Sequence, residues 1–296
     1  MEDTLQSLQE WGTRFDAKVA ALVAALDARL KRLQRSLMNA ILLDFLDVLD
    51  TDGGRLAATA TNAVKAEQLE SLMDRFGRDE SDADLKMFAD QLLSIGEGVK
   101  GYYDLLDVPG EKLAVLESAM GMLRARIGLN KNGELVTDGY LYRLGRADEV
   151  RQNLKNYVVT AIASKTPLRD FTQGMKTLVV GNADTDGALQ QYWRQYAYDT
   201  FNAAHEIVNL HMADGLGLQY FIYEGKNIAT TRAFCRGKAG KVFSRKEADN
   251  WKNDPDLIEK STKATYNPYV ERGRYNCRHR INWISEALAK NLRPDL

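Results

Sequence analysis

Cysteine is scarce in this 296-residue chain, which holds only Cys235 and Cys277. That excludes a disulfide scaffold and suits a protein made in a reducing cytoplasm. Proline is nearly as sparse, with five residues, and the 22 glycines follow no period. Collagen-like and proline-rich low-complexity sequence are therefore excluded. Long apolar runs are missing as well. The longest, Val19 to Leu26, is bounded by Lys18 and Asp27 and is too short to span a bilayer, so no membrane partner is expected. The opening Met1-Glu2-Asp3 is acidic and lacks an apolar h-region, so no secretory signal is expected.

What remains is an ordinary globular composition, with 45% hydrophobic and 27% charged residues. It excludes a wholly disordered chain and is long enough to bury a core unaided. The net charge of −1 conceals an uneven distribution. Lys226 to Asn282 holds 14 Lys and Arg against 6 Asp and Glu, although the whole chain has 40 against 41. An acidic body with a basic C-terminal region points to two functional units.

The first fifty residues carry a sustained helical period. Phe15, Val19, Leu22, Leu26, Leu30, Leu33, Leu37, Ile41 and Phe45 recur at three- and four-residue steps, with charges between them. This predicts one long amphipathic helix with Gly12 as its weak point, packed in an antiparallel hairpin or against a partner. Asp50-Thr51-Asp52-Gly53-Gly54 predicts a turn. Helices are expected over 55–76, 83–95 and 99–106, with a loop at 77–82, and another helix starts around Pro109 and runs to Ile127. The stretch Gly128 to Gly139 breaks the period. From Tyr140 a second helical group follows, with Thr166-Pro167 opening one helix and a long final helix from Ala188 to about Asp214.

After Gly217 the texture changes. Leu218 to Tyr223 is aromatic and β-branched and predicts a strand, as does Lys241-Val242-Phe243. Ser244-Arg245-Lys246-Glu247 has the form of a capping box. Residues 253–274 read as loop, and Tyr275 to Ile284 as a closing β-like segment. The expected fold is mainly α with a small C-terminal α+β module. A helical region over 1–139, suited to partner binding, precedes a unit over 140–296 with helices at 140–216 and an α+β segment at 217–285.

Three short runs stand out in that basic region: Thr230-Thr231-Arg232-Ala233-Phe234-Cys235, Gly240-Lys241-Val242-Phe243-Ser244, and Arg274-Tyr275-Asn276-Cys277-Arg278-His279-Arg280. With the long helix carrying Asn202 and Ala203 and the strand at 218–223, they occur in the order seen in the phage head-morphogenesis proteins. From about Asp148 to Ile284 the chain resembles that family, also called the Mu F-like minor head proteins. The family runs read D-x-R-T-R-P-x-C, G-K-V-[FY]-[ST] and G-Y-N-C-R-H-R. Departures are Ile228 and Ala229 in place of the acid before the T-R run, Ala233 for proline and Arg274 for glycine. The first ~140 residues carry no assignable motif.

The resemblance implies a minor head protein of a tailed phage, present in several copies in the capsid interior or at the portal vertex. The host cytoplasm would be its location during assembly. It would contact the portal protein or major capsid protein, act in head assembly and affect genome retention or ejection, without catalysis and without a required cofactor. Arg232, Phe234, Cys235, Gly240, Lys241, Tyr275, Asn276, Cys277, Arg278 and His279 are its motif residues.

The same residues support other chemistries. Arg272, Arg274, Arg278 and Arg280 suit contact with a protein partner or non-specific contact with phosphates of packaged double-stranded DNA, and alternation would put 274, 278 and 280 on one face. An internal DNA-binding or ejection protein is thus one alternative. Cys235, Cys277 and His279 suit structural zinc, with His205 or His211 as a fourth ligand, although the close C-x₂₋₄-C pairs of zinc knuckles are missing. A Cys277–His279 hydrolase needs a third group and an oxyanion site, neither evident, and a nuclease needs acidic metal ligands that Arg272 to Arg280 lacks. Tyr192, Trp193, Tyr196, Tyr198 and Phe201 follow helical spacing and are expected in the core.

Overall fold

A computed structural model describes residues 2–106, 108–258, 265–274 and 277–296, without the side chains at 2–4, 70, 74–83, 195, 197 and 198. Helix α1 (Glu2–Asp44) realises the N-terminal period as one element about 65 Å long at 1.5 Å per residue. Leu8, Phe15, Val19, Leu26, Leu30, Leu37 and Ile41 are its buried stripe.

The turn at 50–54 forms a two-residue hairpin, β1 (Thr51–Asp52) with β2 (Arg55–Leu56). Gly53 and Gly54, at φ 56° and 74°, supply the left-handed pair such a hairpin needs. The helix expected from Arg55 therefore starts later. Helix α2 (Ala60–Asp104) is capped by the Thr59 side chain, which accepts from the Asn62 N–H. It then runs unbroken through both expected interruptions, at 77–82 and around Gly96–Gly98. Polar residues at 77–82 do not stop a helix, because the run holds one glycine and no proline.

Four helices follow α3 (Lys112–Ile127): α4 (Tyr140–Arg146), α5 (Asp148–Ala163), α6 (Leu168–Val180) and α7 (Ala188–Gly215). Pro109 precedes α3 rather than opening it, and Pro167 is the N-cap of α6. A Cβ at Gly96 would lie 2.7 Å from the Met120 sulfur, so this glycine lets α2 and α3 pack closely. Helix α7 lies against α1, α2 and α3.

The C-terminal segment folds into a small antiparallel sheet in the order β4 (Lys241–Ser244), β3 (Tyr220–Glu224), β5 (Arg280–Ile284). Short helices α8 (Ala233–Lys238), α9 (Arg245–Ala248), α10 (Pro268–Glu271) and α11 (Glu286–Leu292) connect or flank these strands. The capping box forms: Ser244 accepts from the Glu247 N–H, and the Glu247 carboxylate accepts from the Ser244 N–H. The closing strand is shorter than expected and starts only at Arg280.

The protein is thus mainly α with a small C-terminal α+β module. Its larger core joins α1, α2, α3, α7 and the sheet, and a second joins the C-terminal end of α1, the start of α2, α5 and α6. Both cores draw side chains from each side of position 139. Trp193 and Phe201 are buried, Tyr192 and Tyr196 pack on the core, and the Tyr198 side chain lies outside the described residues. Among the described residues no helix is long and apolar enough to cross a membrane.

Candidate functional site

Strand β3 is the centre on which the three sequence runs meet. Tyr223 pairs with Lys241 of β4 on one side and Ile281 of β5 on the other. Gly240 turns the chain into β4 at φ 77°, and its N–H donates to the Tyr223 carbonyl at 2.8 Å. That left-handed turn is a position glycine fills without strain. Lys241 is exposed at the edge of the sheet. Arg232 precedes α8 and donates to the Gly273 carbonyl at 2.9 Å. Phe234, buried, meets Trp251 edge-on. Tyr275 and Asn276 lie outside the described residues.

Cys235 of α8 and Cys277 just before β5 are buried free thiols with sulfurs 3.8 Å apart. His279 Nδ1 is 4.0 Å from the Cys277 sulfur. The Tyr223 hydroxyl sits over both thiols, 3.3 Å from Cys235 and 3.6 Å from Cys277, while its ring stacks on the imidazole. The sulfurs hold each other's protons apart. Hydrogen bonding from Cys235 pulls Cys277 well below the usual thiol range, aided by His279 and Arg272 and opposed by burial. The same contact, with burial, pushes Cys235 up. The pair therefore gives up one proton readily and the second with difficulty. Burial pushes the Tyr223 hydroxyl up, so it remains a donor.

The arginines behave differently from the expected phosphate-facing surface. Arg272, Arg274 and Arg280 are buried, and only Arg278 of the four is exposed. Strand alternation does not reach them, because Arg272 and Arg274 sit in left-handed turns at φ 51° and 68°, ahead of β5. Arg272 donates to Glu206 of α7 at 3.1 Å and to the His279 carbonyl at 2.7 Å. The Arg274 guanidinium lies over the Tyr266 ring, 5.2 Å from its centre. Arg280 spans from Glu224, at 3.2 Å, to Asp16 of α1, at 2.7 Å.

Glu206 is the hub of this network. Burial raises its pKa, but Arg272 and then His205 outweigh that, and its carboxyl is held below the usual range. Its oxygens accept from the Ile281 N–H at 3.3 Å and from Asn209, whose amide also donates to the Ile281 carbonyl at 2.6 Å. Tyr102 of α2 donates to the Trp283 carbonyl at 2.6 Å. The free edge of β5 is thus closed by side chains of α7 and α2, which guards it against strand addition.

The cysteines face an open cleft of about 520 Å³ lined by Val23, Arg194, Arg232, Cys235, Cys277 and His279. A thiolate beside an imidazole is a nucleophile in kind. However, His279 Nε2 is buried without a hydrogen-bond partner, so among the described residues no acid orients the ring. Metal-ligand geometry is better served. The ligand atoms of Cys235, Cys277 and His279 lie within 4.8 Å of one another. The expected fourth ligands are elsewhere: His205 lies against Phe15 and Glu206, and His211 contacts Ser118.

Several residues that build the site carry no obvious sequence signal. Tyr223 was legible only as a strand residue. Asn202, His205, Glu206 and Asn209 do show a polar stripe at helical spacing on an otherwise apolar helix face, which could have flagged Glu206. Gly273 matters because a Cβ there would collide with the Cys235 sulfur. No protein-family model, curated protein or solved structure matches the chain.

Proposed function

We propose that this protein is a minor head protein of a tailed phage, a structural component acting at the portal or inner capsid during head morphogenesis, without catalysis. The observation that supports the reading best is convergence. Of three separated sequence runs that resemble the family's ordered motifs, one supplies β4, one leads into β5, and the first packs against them, with Cys235 touching Tyr223 of β3 and lying 3.8 Å from Cys277. Runs that merely share local composition have no reason to meet in space. The burial of Arg272, Arg274 and Arg280 removes the main support for the genome-binding alternative, because buried guanidiniums cannot reach phosphates.

Quantitative mass spectrometry of purified DNA-filled particles and empty precursors tests the proposal. A low copy number in both, in simple ratio to the portal protein, is expected. Presence in precursors alone would make the protein a transient assembly factor. Absence from both would overturn the virion reading.

A further inference from the structure

We propose that Cys235, Cys277 and His279 form a zinc site with three protein ligands and a fourth position open to the cleft. The sulfur separation carries the argument. Two thiolates on a tetrahedral Zn²⁺, each bonded at about 2.3 Å, stand about 3.8 Å apart. The two sulfurs here are 3.8 Å apart. His279 Nδ1 is 4.0 Å from the Cys277 sulfur, and the three ligand atoms lie within 4.8 Å of one another, so the imidazole must move by up to about 1 Å to join both sulfurs on one ion. Its approach is set by packing, since the ring is stacked on Tyr223 and confined by Gly225, where a Cβ would lie 2.8 Å from the imidazole.

The surroundings suit a divalent soft-acceptor ion. Two thiolates neutralise its charge, so the buried site carries no net burden. Tyr223 supplies a hydroxyl to the sulfurs at 3.3 and 3.6 Å, the kind of outer contact that holds metal ligands in place. Arg272 fixes the backbone at the His279 carbonyl. Gly273 closes over both sulfurs, and no larger residue fits there. The cleft admits a water as fourth ligand. The ion would tie α8 to the segment entering β5, two parts of the module joined there by side chains rather than by sheet hydrogen bonds.

The test uses the full chain, reduced, stripped with a chelator and titrated with Co²⁺ and then Zn²⁺. One Co²⁺ per chain should bind, with intense tetrahedral visible absorption and a thiolate charge-transfer band, and Zn²⁺ should displace it. Cys277→Ser should lose both signals, and Tyr223→Phe should keep one ion with affinity weakened about 10- to 100-fold. Should Cys277→Ser fail to fold, the wild-type chain still decides the matter, because bound Zn²⁺ must slow alkylation of both cysteines. A six-coordinate cobalt spectrum, no saturable binding, or alkylation at equal rates with and without Zn²⁺ would overturn the proposal.

Discussion

Leu154, Val158, Phe171 and Met175 are fully buried between α5 and α6 and meet apolar side chains of α1 and α2. Around β5, the larger core instead buries Glu206, Arg272, Arg280, Asn209 and His205. The first core is specified by volume and period, which many side-chain sets satisfy. The second is specified by pairing, where each charge depends on a few specific partners. The contrast teaches that the helical half should tolerate conservative change that the junction with the sheet does not.

The sharpest break of that contrast is Glu206→Gln. It keeps the shape but removes the buried carboxylate that accepts from Arg272, and should cost about 3–5 kcal/mol in urea unfolding. A loss under about 1 kcal/mol would show that the pair is not specifying the junction. The same group sets an acid response. Its folded pKa is depressed, so its contribution is fully present above the ordinary glutamate value and is lost as pH falls through the depressed one. Asp27, held at about 2 against an ordinary 3.8, acts in the same sense. There burial is outweighed by hydrogen bonds from Gln190, Arg194 and Lys31. Acid titration of stability should therefore be less steep in Glu206→Gln than in the wild-type chain.

Gly12 gives the next effect. Helix propensity alone would make Gly12→Ala stabilising by about 1 kcal/mol. A Cβ there collides with the Arg280 guanidinium, so the substitution should instead destabilise by about 1–3 kcal/mol. In an Arg280→Ala background the sign should reverse, and an additive pair of effects would show that the two residues do not meet. In the apolar core, Met175→Leu should cost less than about 1.5 kcal/mol by thermal or urea unfolding. Arg278→Ala, at an exposed position, should change stability by no more than about 0.5 kcal/mol.

The helical part of the fold was legible because its period is local. Phe15 to Phe45 announce α1 without reference to any distant residue, and Ser244 and Glu247 announce their own cap. The missed features depend on partners far away. Nothing near Arg272 shows that Glu206 will meet it, so a basic run reads as a surface. The run at 77–82 reads as a loop by its polarity, although its single glycine and lack of proline leave a helix free to continue. Of the candidate site, Cys235, Cys277 and His279 could be picked by residue type. Tyr223 and Gly273, which shape their surroundings, are ordinary residues made special only by the register of β3 and the path of one turn.

Arg280 and Asp16 stand 264 positions apart. A ribosome adding about 5–20 residues per second separates their synthesis by tens of seconds. Throughout that interval α1 can pack on α2 and then on α7, while the ion pair from Asp16 waits for β5. The contact between α1 and β5 is therefore among the last of the α1 contacts that the growing chain can make. A chain cut before β5 would lack that clasp while keeping α2, α6 and α7 against α1, so the order of synthesis separates the helical packing from its closure on the sheet.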